Sequence, residues 1–286
     1  MSLSNPPRAA RLLGYPDDAR LLILNADDFG MCHAVNQAVA GVLRAGVVRS
    51  ASLMVPCPAA PQAIQYLAEH PAPGLGVHLT AISDSAANHW RPLSPPSRVS
   101  TLVDRDGFFH TFDHMPAMLA QVDLAQLETE FRAQIEAALA AGLRPSHLDW
   151  HALRIDHRPD IFGLMARLAR DYGLALRVRG PAVIENLLRQ GLPVAEFDFL
   201  DSSTLDPVTK PAGYARLLHD LPAGLSEWAV HPGLDGPELL ALEPGGNHFR
   251  QTDYDFWTSS AARSLVEQEG IILIDYRALQ AVWKQG

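Results

Sequence analysis

Arg20-Leu-Leu-Ile-Leu-Asn-Ala-Asp-Asp-Phe-Gly30 is the stretch that decides the fold. Four apolar residues, Leu21 to Leu24, run into two adjacent carboxylates, Asp27 and Asp28, and then Gly30. An apolar run closed in this way reads as a buried strand followed by a loop. Residues 34–46 carry Val35, Val39, Val42 and Leu43 at helical spacing and stop at Gly46. The same alternation continues to the end of the chain. Strand signals fall at 51–55, 75–80, 146–150, 175–178, 227–230 and 271–274, and helix signals at 60–70, 124–142, 160–173, 212–220, 259–269 and beyond 274. Strands that alternate with helices make a parallel sheet with helical crossovers. Some seven such units predict an α/β fold: a (β/α) barrel, TIM-like or a seven-stranded variant. Residues 1–286 read as one domain, with 1–19 as an N-terminal extension. Residues 81–112, rich in Ser, Pro, Asn and Asp, read as a long active-site loop.

Composition narrows the function. Hydrophobic residues are 48% and charged residues 19%, enough apolar content for a substantial core. A net charge of −9 gives no general electrostatic basis for binding nucleic acid or an anionic membrane. No apolar leader and no 18-residue apolar run are visible, so the expected location is cytoplasmic. Cys32 and Cys57 cannot make a disulfide framework or a cysteine-rich zinc site. No G-x-G-x-x-G or P-loop pattern follows the first strand, which argues against a dinucleotide or nucleoside triphosphate site.

The chemistry-bearing residues sit at strand ends. They are Asp27 and Asp28, His78, the alternating His147, Asp149 and His151, and His231. Alternate residues share one face of a strand, and the C-terminal ends of barrel strands converge on one mouth. One carboxylate and two imidazoles can hold a divalent ion with positions open for water and substrate. Such an ion would acidify water and polarise a carbonyl, while a second carboxylate took the proton and a histidine protonated the leaving group. Each residue also has a plain structural reading. Asp28 could cap the helix near His33, His78 could be a hydrogen-bonded core histidine, and His231-Pro-Gly could make a turn. Arg250 and Asp253 could form a local ion pair. The other histidines (33, 70, 89, 110, 114, 157, 219 and 248) read as surface or loop residues.

Four elements taken in order resemble the YdjC-like carbohydrate deacetylase family, which includes the chitooligosaccharide deacetylases. They are Asn-Ala-Asp-Asp-Phe-Gly at 25–30, Gly-Val-His-Leu-Thr at 76–80, His-Leu-Asp-Trp-His at 147–151 and His-Pro-Gly at 231–233. The resemblance implies a (β/α) barrel like that of polysaccharide deacetylases and a metal-dependent N-deacetylase activity. It implies that Asp28, His78 and His151 bind one divalent metal (zinc or magnesium; manganese, cobalt and nickel are also compatible). Asp27 would be the general base, His231 the general acid, and His147 and Asp149 would orient the ligands. After His151 the chain reads Ala-Leu-Arg-Ile-Asp-His157, without the histidine-rich run of the chitooligosaccharide branch. Trp90-Arg-Pro-Leu93, Met31, Asn36 and the pair Arg250 and Asp253 look instead like a second branch. In that branch Trp90, Arg91, Arg250 and Asp253 are candidate contacts to a small carbohydrate, and Trp150 is either a contact or core. A homodimer is the default assembly. The rival readings are a carbohydrate-binding or regulatory protein on a deacetylase scaffold, and a metal-dependent phosphoesterase or C–C bond enzyme.

Overall fold

The long apolar strand predicted at the start of the chain is the axis of the sheet. In the computed structural model, which describes residues 8–71, 73–155, 158–197, 199–244 and 247–285, it is β1 (Arg20–Phe29). The other strands are β2 (Ser50–Leu53), β3 (Gly74–Leu79), β4 (His147–Trp150), β5 (Ala175–Leu176), β6 (Leu200–Asp201), β7 (Gly224–Val230) and β8 (Ile272–Ile274). All pair in parallel, in the order β5-β4-β3-β2-β1-β7-β6, with β8 beside β1. β1 contacts β7 along residues 20–26 on one side. On the other side it contacts β8 along Leu21–Ile23 and β2 from Asn25 onward. Leu21–Leu24 are buried on both faces, which is why β1 reads as a continuous apolar run rather than an alternating one. Helices cover the outside, and β5 and β6 do not pair with each other among the described residues, so the barrel is open at one seam.

Most predicted elements lie within a few residues of their expected bounds. The structure adds Met115–Gln121, Pro181–Arg189, Pro237–Leu242, Asn247–Thr258 and β6, to which the sequence analysis assigns no element. Three of these helices begin at or beside a proline and run only six to nine residues, too few to establish a period. Asn247–Thr258 buries Arg250 and Asp253, so its inner face does not read as apolar. The start of the N-terminal extension (residues 1–7) and His157 lie outside the described residues. No helix among the described residues is long and apolar enough to cross a membrane. Cys32 and Cys57 are buried and unbridged.

Two local features set up the mouth of the barrel. The β1–β2 register slips between Ala26 and Phe29, and within that slip Asp28 adopts a left-handed φ of 67°. An irregularity of this kind re-aims side chains that regular alternation would send to opposite faces, so both carboxylates point into the barrel mouth. The following loop is fixed by Asn36, whose side-chain oxygen accepts from the Gly30 N–H at 2.7 Å and whose amide donates to the Ala59 carbonyl at 2.9 Å. Asp28 therefore does not cap the next helix. That helix, His33–Ala45, starts from Cys32 with no side-chain cap.

Candidate metal centre and active site

Asp28, His78 and His151 meet at the C-terminal end of the sheet, each offering a donor atom within 4.8 Å of the other two. The Nε2 of His78 lies 3.4 Å from Asp28 Oδ1, and the Nδ1 of His151 lies 3.1 Å from that same oxygen. The remaining atoms are held from behind. His78 Nδ1 is 2.9 Å from Asp149 Oδ1, His151 Nε2 is 2.8 Å from Asp84 Oδ1, and Arg250 Nη1 is 2.9 Å from Asp28 Oδ2. Carboxylate partners of this sort set the tautomer and orientation of a ligating imidazole.

The charges of the three residues are set by their neighbours. Burial by itself would lower the His78 pKa, yet the carboxylates of Asp149 and Asp27 carry it up to about 10. Burial is likewise outweighed at His151, which Asp84 and Asp28 raise to about 9. Asp28 goes the other way: against the cost of burial, Arg250, His151 and His78 hold it well below the usual carboxylate range. Two imidazoles and a carboxylate around one point form an N2O donor set that fits a divalent ion.

A second group, Asp27, His78 and Asp149, is also close enough to ligate. Its cation is already present. Arg177 from the end of β5 grips Asp27 with two parallel bonds of 2.7 and 2.9 Å, approaches Asp149 at 3.2 Å and bonds Glu227 at 2.7 Å. Burial would lower the Arg177 pKa, but these three carboxylates raise it well above its ordinary value. The guanidinium fork fixes the plane of the Asp27 carboxylate, and Asn25 adds a bond of 2.7 Å.

His231 stands across the cavity at the end of β7, partly exposed, with Nδ1 3.0 Å from Ser202 Oγ. The cavity is about 560 Å³ and brings Asp27, Asp28, His78, His151 and His231 to one space. His147 sits one layer deeper. It stacks on Tyr276 at 3.7 Å and lies 3.9 Å from Asp149, and burial pushes it down to about 4.

The candidate sugar contacts fall elsewhere than expected. Trp90 is buried edge-on behind His151, with ring centres 5.4 Å apart. Arg91 is exposed and stacks on Phe108 at 3.9 Å. Asp253 is fully buried, and neither it, Trp90 nor Arg91 is on the cavity wall; Arg250 is. The expected Arg250–Asp253 pair does not form: Arg250 turns to Asp28 and Glu243, and Asp253 to Lys210. The wall also carries Phe112, Trp150, Phe199 and Phe249, with Arg154 and Arg179 exposed. Asp84, Arg177, Glu227 and Ser202, none of them marked by a sequence motif, support the site as well. The one signal available was Leu-Arg-Val-Arg at 176–179, a charged residue at the end of an apolar strand like those already flagged.

Known proteins resemble this chain over nearly its whole length. A family profile described as YdjC-like protein matches residues 21–268. The carbohydrate deacetylase of Thermoanaerobacter pseudethanolicus is 29% identical over 261 residues, covering 91% of this chain and 100% of that protein. The carbohydrate deacetylase of Clostridium beijerinckii is 27% identical over 260 residues, covering 90% and 98%. A solved structure from Enterococcus faecalis V583, provisionally assigned to cellobiose-phosphate cleavage, superposes with a TM-score of 0.77 at 26% identity, over 91% of this chain and 99% of that one.

Proposed function

This chain belongs to the YdjC-like protein family, and from that premise we propose that it is a metal-dependent hydrolase that removes acetyl groups from N-acetylated sugars. The observation that carries the reading is the convergence of Asp28, His78 and His151 on one point, with Asp27 and His231 in the same cavity. Asp28, His78 and His151 would hold the ion, and two imidazoles among three ligands favour zinc over magnesium, which prefers oxygen. The ion, when bound, supplies Lewis acidity that acidifies water and polarises the amide carbonyl.

The protein groups then divide the proton work. Asp27, its plane fixed by Arg177 and Asn25, takes the proton from water as the water oxygen bonds to the carbonyl carbon. His231 presents a ring nitrogen to the cavity and gives a proton to the amide nitrogen as the C–N bond breaks, releasing acetate and the amine. Asp149 and Asp84 orient the two imidazoles, and His147 packs beneath Asp149. The rings of Phe112 and Trp150 offer apolar faces to a sugar, and Arg154 and Arg179 offer donors to its hydroxyl or acidic groups. On this reading residues 1–286 act as one domain, and the 81–112 loop, which supplies Asp84 and Phe112, is part of its active site.

The test is acetate release from a panel of N-acetylated mono- and disaccharides by zinc-loaded protein. Asp27→Asn should bind the metal as before and lose activity by at least 10²-fold. Wild-type turnover by Asp27→Asn on an established substrate would remove Asp27 as the base.

A further inference from the structure

Asp253 has the environment of a buried anchor. Four donors converge on its two oxygens: Lys210 Nζ at 3.0 Å and Tyr214 Oη at 2.9 Å on Oδ1, and Ser202 Oγ at 2.5 Å and the His231 backbone N–H at 2.8 Å on Oδ2. Asp253, Ser202, Lys210 and Tyr214 are each no more than 1% exposed. The Lys210 ammonium and the His231 N–H can only donate, one to each oxygen, so both oxygens of Asp253 act as acceptors.

That fixes the direction of the next bond. A hydroxyl has one hydrogen to give, and Ser202 gives it to Asp253. Toward the His231 ring, 3.0 Å away, Ser202 Oγ can only accept. The His231 Nδ1 must therefore carry a hydrogen and donate it. Among the described residues the other acid beside this nitrogen is Asp201, whose Oδ1 is 3.7 Å away, too long for a hydrogen bond.

We propose that Ser202 and Asp253 are positioning residues that lock His231 in the Nδ1–H tautomer and so present Nε2 to the cavity as its proton-exchanging atom. The hydrogen-bond direction runs His231 Nδ1–H to Ser202 Oγ, then Ser202 Oγ–H to the Asp253 carboxylate. No proton leaves this chain of bonds during a reaction; it holds the ring. Asp253 also accepts from the backbone N–H of His231, so one carboxylate fixes both the main chain and the ring of that residue. The consequence for catalysis rests on the deacetylase reading given above, but the tautomer does not.

Imidazole-¹⁵N-labelled full-length protein tests the proposal by long-range ¹H–¹⁵N correlation, with His231 assigned from the resonance lost in His231→Gln. Neutral His231 in the wild type should show a protonated Nδ1 and a bare Nε2. Ser202→Ala should shift the ring to the Nε2–H form, and Ser202→Thr, which keeps the hydroxyl, should retain Nδ1–H. On a substrate the protein turns over, Ser202→Ala should lower kcat about 10–100-fold with KM within about twofold, the size typical of losing an orienting partner. A wild-type His231 already in the Nε2–H form, or a tautomer unmoved by Ser202→Ala, overturns the proposal. If the tautomer behaves as described and no acetylated sugar is hydrolysed, the positioning assignment stands and the deacetylase reading falls.

Discussion

Replacing Arg177 by Met tests whether one guanidinium balances the floor of the site. Arg177 is 2% exposed and faces Asp27, Asp149 and Glu227, all buried. Met has a similar length and no charge, so Arg177→Met leaves three carboxylates without their common cation. Breaking a single buried ion pair by removing one partner costs about 3–5 kcal/mol, and here one substitution breaks three contacts. Part of the cost is relieved by proton uptake. Burial already raises Glu227 from its ordinary value even with Arg177 in place, and without the guanidinium it rises further. A carboxylate with a raised folded pKa contributes stability below its unfolded pKa and loses it as pH rises through the folded value. The variant's deficit should therefore be largest at pH 8 and smaller at pH 5.5. Urea unfolding followed by far-UV circular dichroism should show a loss of about 4 kcal/mol at pH 8, a large share of the ~5–15 kcal/mol by which domains are stable. Arg177→Lys should fall between, since one ammonium cannot match the planar fork on Asp27. Stability of Arg177→Met within 1 kcal/mol of wild type at pH 8, with no narrowing at pH 5.5, would refute the reasoning.

Zinc in 100-fold excess over its Kd should stabilise the protein by about 2.7 kcal/mol, read as a rise in Tm that His78→Ala and His151→Ala abolish; an undiminished rise in either variant places the ion elsewhere. Gly76→Ala should be strongly destabilising, because a Cβ there would run into the buried His147 ring. Overpacking of that kind costs about 2–3 kcal/mol, roughly 5 °C in Tm, and an unchanged Tm would mean the ring moves freely. His147, held neutral by burial down to about 4, makes the fold less stable as pH falls, because the unfolded chain takes up that proton below about 6.5. Its contribution is complete above pH 6.5 and fades toward pH 4, by about 3 kcal/mol at most, so His147→Asn should flatten the urea-derived stability profile in that window. A parallel profile in the variant would show that other groups cause the slope.

The strand ends that carry the site were legible because they break a rule of their own neighbourhood. Asp27, Asp28, His78 and His231 are polar residues that end apolar runs, and His147, Asp149 and His151 alternate where a strand must alternate. What could not be read was which charges are buried together. Arg177 and Glu227 look like ordinary strand residues in one dimension; their pairing across 50 positions exists only once β5 and β7 are folded. Asp84 belongs to a polar loop and gains meaning only beside His151. Arg250 and Asp253 stand as a spaced pair in the sequence, but the helix that carries them turns each toward a different partner. Three-residue spacing places two side chains on one side of a helix without saying that they touch.

An unclosed barrel leaves strand edges unpaired, and exposed edges invite strands from other molecules to add on. Among the described residues the seam lies between β5 and β6, each only two residues long, and β8, three residues long, pairs with β1 alone. Arg177 and Arg179 follow β5, and Asp201 ends β6. Edges this short, with charged residues at their ends, offer little backbone for an intruding chain to copy. A strand arriving at the seam thus finds little backbone to build on.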